Sequence, residues 1–363
     1  MKIKKEIAGL NFEIVYDKTR KYSKNLEKEL KIYSNSEEKE IIKIYIDTKK
    51  EPETVMNNPS IQFSSENIFG IETTFMKIYW IKEKEKIKEI IIKTKYNKVN
   101  YLMNLAHYFA GKDLEKPINL ITKQLHELVF IPTIFFEENK TLFHGSCIKK
   151  NNQTILIGGT GGVGKTSALL SLNGKKTYFL ADDMTIIKKN RNIEPNFAYP
   201  KIYAYNLIGN RKLKKETLNK TNILKKIAFN ILSKISKDMV RKRVNPKKLF
   251  LTTNNSSKIN KYIILSKGSQ SKITKEIINT DIATNNTWRI IETEYSQFIN
   301  HLKWHAFNCE IDNMKNNFDY AKIKQQKLSI TKNILKNTEN VLVKIPEKIK
   351  HEKYLKEIKE ILK

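Results

Sequence analysis

The stretch 154-TILIGGTGGVGKTSALLSL-172 decides how this chain is read. Five of the protein's twelve glycines fall between Gly158 and Gly164, in a sequence otherwise crowded with Lys, Ile and Asn. An apolar run of strand length leads in, a helix-like run leads out, and Gly159, Thr160, Gly161, Gly162, Val163, Gly164, Lys165 and Thr166 between them satisfy GxxxxGK[ST]. Glycines at these positions let the loop wrap so that successive backbone N–H groups face inward as an anion nest, and the start of the next helix adds partial positive charge. Bulky side chains would hold the backbone away from a phosphate. In such a loop Lys165 reaches the β- and γ-phosphates, the Thr166 hydroxyl ligates Mg²⁺, and Ser167 carries the loop into the helix. The spacing predicts a nucleotide-binding loop for ATP and Mg²⁺; a glycine-rich turn without a ligand is the plainer alternative.

On either side of the loop the pattern is that of an α/β domain with α+β tendencies and a mixed sheet. Segments 141–150 and 153–158 read as strands joined at Asn151-Asn152, residues that tolerate the positive φ of a hairpin turn. Residues 165–172 read as a helix, and 174-GKKTYFLADDMTIIKKN-190 as one or two strands carrying Asp182 and Asp183. Further on, 223–235 and 347–363 read as amphipathic helices, and 261–266 and 340–346 as strands.

Paired carboxylates after a single helix are the second signal. Adjacent residues on a regular strand point to opposite faces, so both acids approach one site only at a bulge or strand end. One would hold the metal and the other would accept the proton of an attacking hydroxyl. A solvated turn at the end of a strand is the alternative.

The run 143-FHGSCIKK-150, then the glycine loop, then LADDMTII, resembles the catalytic domain of the HPr kinase/phosphorylase family, whose P-loop kinase fold is related to phosphoenolpyruvate carboxykinase. The likeness is strong over roughly 141–190, and 198–206, 239–250 and 261–268 follow the looser pattern of HPr-kinase-like proteins, including those of ribosomal-peptide-modifying systems. It implies ATP on Gly159 through Thr166, Mg²⁺ on Thr166 and Asp182, Asp183 as proton acceptor, His144 positioning phosphate or substrate, and Arg243, with Arg241 nearby, meeting phosphate or substrate. The acceptor it implies is a Ser or Thr hydroxyl of a small protein or peptide, and the family commonly forms homo-oligomers. One part of the pattern is missing: where HPr kinases carry a second metal-linked Glu, 202-IYAYNLIGN-210 has no carboxylate, and Glu194 is the nearest acid before it. This departure argues against phosphorylase activity and against HPr itself as substrate.

Residues 1–138 form a separate N-terminal α+β domain, with strands at 12–17, 40–47, 73–81 and 88–96 and helices at 98–110 and about 116–130, the second interrupted by Pro132. Residues 139–363 form the catalytic domain. Phe75, Tyr79, Trp80, Tyr96 and Tyr101 read as core and cross-strand packing. His301 and His305, four apart, would share a helix face; with no third ligand in reach they read as a structural pair near Trp304 rather than a metal site.

Composition sets the outer limits. The chain has 363 residues and 40% hydrophobic residues, enough for real cores. No apolar run approaches the roughly 20 residues of a membrane span, and the first residues mix charge into every apolar stretch, so the expectation is a cytoplasmic protein without a membrane partner. Cys147 and Cys309 form no disulfide framework. The net charge of +30 is mostly Lys scattered over the chain, but 211–248 holds fourteen Lys or Arg against Glu216 and Asp238. That local field suits an acidic peptide; RNA or DNA bound by a nucleotide-switched protein is the competing reading, although no nucleic-acid motif is visible. A small-molecule kinase on the same fold is a third.

Overall fold

The computed structural model describes residues 1–38, 40–53, 56–95, 121–174, 176–219, 221–235 and 240–362. The helix expected at 98–110, the start of that at 116–130, and Tyr96, Tyr101 and Asp238 lie outside the described residues. By contacts the chain divides into two compact units. One comprises Met1–Tyr101, Ile118–Leu142 and Ile291–Ile330; the other comprises Leu102–Pro117, Phe143–Ile290 and Thr331–Lys363. The protein is mixed α/β, and among the described residues no helix is long and apolar enough to cross a membrane.

In the first unit eight strands form one sheet: β1 (Lys2–Ile7), β2 (Leu10–Tyr16), β3 (Ile42–Ile46), β4 (Met56–Asn57), β5 (Gln62–Ser65), β6 (Ile68–Glu72), β7 (Met76–Glu83) and β8 (Lys86–Thr94). Their order is β1-β2-β3-β8-β7-β6-β5-β4, with β3 parallel to both neighbours and the remaining pairs antiparallel. The four expected strands are β2, β3, β7 and β8. Strand β2 shows why: LNFEIVY buries every second residue, leaving the others half-buried. Phe69 is the hub of an aromatic core, its ring 5.5–5.6 Å from those of Trp80, Phe298, His305 and Phe318. The buried Trp80 indole donates to Thr133 Oγ1 at 2.9 Å, and that hydroxyl donates to the Val129 carbonyl at 2.7 Å, so the ring's one polar atom is satisfied.

Pro132 does not interrupt its helix as expected. The helical path runs Ile121–Leu125, a π-helical turn His126–Phe130, Ile131–Thr133 and a 3₁₀ turn Ile134–Phe136. The wider π turn relieves the clash between a proline ring and the preceding carbonyls, and the proline sits at the first turn of the short segment that follows.

The second unit is built on a long central strand, β9 (Lys140–Lys150), whose first three residues belong to the first unit. It pairs antiparallel with β10 (Gln153–Gly159) through a turn in which Asn151 and Asn152 have φ of 47° and 67°, the expected hairpin. From there β10 runs parallel to β18 (Lys261–Gly268), β18 parallel to β20 (Glu339–Pro346), and β19 (Thr274–Ile277) closes that side antiparallel. Along its other edge β9 meets β11 (Thr177–Ala181) and then β12 (Met184–Lys188), beyond which lie β13 (Asn192–Glu194) and β17 (Ser257–Lys258). The short β16 (Leu251–Thr252) pairs with β11. A separate ribbon joins β14 (Lys201–Tyr203) to β15 (Arg241–Arg243). The glycine loop leaves the C-terminal end of β10, on the side where the parallel strands β10, β18 and β20 end and where ligands of such strands are ordinarily bound.

Two facing glycines, Gly145 on β9 and Gly158 on β10, keep this centre tight. A Cβ at Gly145 would lie 2.7 Å from the Ile157 carbonyl oxygen, and one at Gly158 would lie 2.7 Å from the Tyr262 hydroxyl. The Gly145 conflict is with backbone and cannot be relieved by turning a side chain. Gly145→Ala should therefore lower stability by about 1–3 kcal/mol in denaturant unfolding. An unchanged midpoint would mean that β9 and β10 have room the geometry denies.

Candidate functional site

The loop after β10 has the backbone that its glycines permit. Gly159 has φ of +142° and a Cβ there would lie 2.5 Å from the Leu265 carbonyl oxygen. Gly164, at φ +102°, starts the helix Lys165–Ser171, and a Cβ there would lie 2.8 Å from the Tyr354 hydroxyl. Tyr354, from the helix His351–Ile361, donates that hydroxyl to the Gly164 carbonyl at 3.0 Å. Thr160, Gly161 and Gly162 are exposed, whereas Val163 is buried beneath them. Lys165 folds back over the loop, its ammonium donating to the carbonyls of Gly159 at 2.9 Å and Thr160 at 2.8 Å. At the first turn Ser167 Oγ accepts from Asn206 Nδ2 at 2.7 Å.

Asp182 and Asp183 occupy the break between β11 and β12, just after the register of β11 against β9 slips between Phe179 and Ala181, and Asp183 takes φ of +71°. The left-handed residue ends the strand's alternation, and one backbone and one side-chain bond hold the break against β9: Gly145 N–H donates to the Asp183 carbonyl at 3.0 Å, and Thr185 Oγ1 donates to the Gly145 carbonyl at 2.9 Å. The two carboxylates then meet different partners. Asp182 is buried, accepting from Ser146 Oγ and from Thr166 Oγ1 at 3.2 Å to each oxygen. Asp183 keeps 49% of its side chain exposed; His144 Nε2 lies 3.3 Å from Oδ1, and Lys201 donates to Oδ2 at 3.3 Å.

Electrostatics separate the pair. Burial, with Asp183 adding repulsion, pushes the Asp182 carboxyl above the usual range against the opposing pull of Ser146, Thr166 and Lys165. Burial also acts upward on Asp183, but the His144 hydrogen bond and the charges of Lys201, His144 and Lys165 reverse it and hold that carboxyl well below the ordinary range. Adjacent acids thus differ in proton affinity, the arrangement in which two carboxylates take two roles.

Arg243 pairs with Lys201 across the β14–β15 ribbon, so both side chains rise on one face of it. Its guanidinium is buried, 5.3 Å from the centre of the Tyr199 ring. Arg241 instead donates to the Tyr203 hydroxyl at 3.2 Å. Glu194 sits in β13 with its carboxylate paired to Lys188 at 2.8 Å. His301 and His305 part company: His301 Nδ1 meets Gln62 Oε1 at 2.9 Å, while His305 Nε2 meets Cys309 Sγ at 3.5 Å and burial pushes its pKa down to about 4. Among the described residues no three His, Cys, Asp or Glu converge on a metal-sized site.

Mg²⁺ nevertheless suits what is present. It is ordinarily held by one or two carboxylates together with phosphate oxygens and water, not by a protein cage. Asp182 and the hydroxyls of Thr166 and Ser146 form an all-oxygen donor set beside the glycine loop, and a buried carboxylate favouring its neutral form gains from a cation. Ser146, Lys201, Asn206 and Tyr354 belong to the site without being expected from the sequence. Only Ser146 carried a signal, since it lies two residues from His144 and shares its face of the strand. No family model and no curated protein matches this chain.

The sign of the Asp182 shift makes a prediction. A carboxyl whose folded pKa lies above its unfolded value adds stability fully only below the unfolded value, and loses it as pH rises through the folded one. At neutral pH without metal, Asp182→Asn should therefore melt higher than the native chain while gaining less from Mg²⁺ with nucleotide. A lower melting temperature at neutral pH would mean that the ionised carboxylate is net stabilising.

Proposed function

We propose that this chain is an ATP- and Mg²⁺-dependent kinase with a P-loop domain of HPr-kinase type, transferring the γ-phosphoryl group to a Ser or Thr hydroxyl of a small protein or peptide. One observation carries the reading: beside a GxxxxGKT loop, one acid of an adjacent pair touches the loop's Thr166 while its neighbour, open to solvent, is held between His144 and Lys201. A nucleotide switch needs the first contact and has no use for the second.

In this reading the loop amides and Lys165 bind and orient the β- and γ-phosphates, exchanging the two carbonyls that Lys165 now contacts for phosphate oxygens. Thr166 and Asp182 would hold Mg²⁺, which would supply neutralisation of phosphate charge. The acceptor oxygen attacks γ-phosphorus in line, the bond from γ-phosphorus to the β–γ bridging oxygen breaks, and ADP leaves. Asp183 accepts the hydroxyl proton. A carboxylate held so far below its ordinary range is a weak base, which suits a loose transition state in which the proton leaves late; its first task is to aim the hydroxyl. His144 and Lys201 fix that carboxylate, and Arg243 on the same face of the ribbon as Lys201 adds positive charge. Glu194, committed to Lys188, supplies no second metal ligand, in keeping with a kinase that does not run the phosphorylase reaction.

Labelled γ-phosphate offered to the native chain with a mixture of peptides and proteins should appear on a discrete small acceptor. Asp183→Asn should lower that transfer by about a hundredfold to ten-thousandfold with ATP binding retained. Lys165→Ala should lose both. ATP binding that needs Lys165, without transfer to any acceptor but with polynucleotide binding that falls steeply with salt, would replace this reading with the nucleotide-switched RNA or DNA binder.

A further inference from the structure

The helix Ile223–Ile235 is turned outside in. At 3.6 residues per turn Ile223, Ile227, Ile231 and Ile235 form one i,i+4 ridge with Leu224 beside it. In that order the five side chains are 72%, 50%, 55%, 78% and 75% exposed. The side that faces the protein carries the buried Phe229, with Leu232, Lys225 and Lys226 half-buried next to it. A surface helix ordinarily buries its aliphatics and offers its lysines to water. Five of the fourteen exposed large hydrophobics among the described residues lie on these thirteen residues, which makes a patch and not a scatter.

The charge carried by the ridge's own helix and by the helix next to it in the chain points to what covers it. Lys234 is exposed on the ridge's own side, and the preceding helix Arg211–Leu218 exposes Arg211, Lys212, Lys214 and Lys215. No acid lies on the helix itself. The ridge is convex and about 20 Å long. We propose that it is a docking element for an anionic lipid surface, lying parallel to the membrane with its aliphatics at the boundary of headgroups and acyl chains and its lysines reaching the lipid phosphates. A second copy fits poorly, because a two-fold contact would set two equally basic segments face to face. An acidic protein would match the charge but needs a groove shaped to a convex ridge, whereas a lipid surface conforms to one.

The test is flotation of the full chain with vesicles of phosphatidylcholine alone and of phosphatidylcholine mixed with phosphatidylglycerol. The expected result is co-flotation with the anionic vesicles only, weakening with salt. The double variant Ile227→Ser/Ile231→Ser should weaken it by roughly tenfold or more, and Lys214→Glu/Lys215→Glu should weaken it independently, both with unchanged ATP binding and melting. Absence of flotation with anionic vesicles, or equal flotation of the Ile227→Ser/Ile231→Ser chain, overturns the proposal. A concentration-dependent dimer dissolved by that variant would give the ridge to a second copy. Binding of soluble polyglutamate without vesicle binding would give it to an acidic protein. Because flotation needs no nucleotide, its failure leaves the kinase reading untouched.

Discussion

A buried carboxylate shared between two hydroxyls ties the second unit's chemistry together. Asp182 accepts from Ser146 on the central strand and from Thr166 on the glycine loop. Those three residues come from three successive passes of the chain, so the contact sets where the loop stands relative to the strand that carries the acids. Removing either hydroxyl would leave an acid short of partners where burial already disfavours its charge. The tight approach of β9 and β10 at Gly145 and Gly158 serves the same end, since Gly145 also holds the Asp182-Asp183 break through its N–H and its carbonyl.

From this contact follows the separation of the acids. A regular strand would have sent Asp183 away from its neighbour's site; the left-handed conformation at that residue redirects it toward His144 and Lys201. Half open to solvent and held by His144 and Lys201, its carboxyl lies well below the ordinary range, whereas burial pushes that of Asp182 above it. The two carboxylates are adjacent in sequence and opposite in electrostatic behaviour, which is what a metal-linked acid and a hydroxyl-directed acid require.

Much of this was legible in the chain because it rests on local rules. GxxxxGKT after an apolar strand, Asn151-Asn152 between two strands and Asp182-Asp183 after a third each depend on residues close in sequence. The β-branched and aromatic runs of β2 and β7 were equally plain. What escaped notice depends on distant pairing. Lys201 reaches Asp183 from a two-stranded ribbon whose second strand begins forty residues later, and Tyr354 meets Gly164 from a helix nearly two hundred residues away. Thr280–Glu294 and Tyr320–Leu335 are helices whose Asn, Thr and Lys content blurs their apolar period, and the grouping of Ile291–Ile330 with the first unit has no local marker. Pro132 departs from expectation because a π-helical turn, His126–Phe130, precedes it, and no residue pattern marks such a turn.

The most direct test of the divided acid pair is calorimetric titration of ATP, with and without Mg²⁺, into the native chain, Asp182→Asn and Asp183→Asn. The account predicts that Mg²⁺ tightens ATP binding in the native chain and in Asp183→Asn, and that this gain disappears in Asp182→Asn while metal-free binding persists. A gain that survives in Asp182→Asn, or that is lost equally in both variants, would contradict the assignment of metal to one carboxylate and hydroxyl to the other.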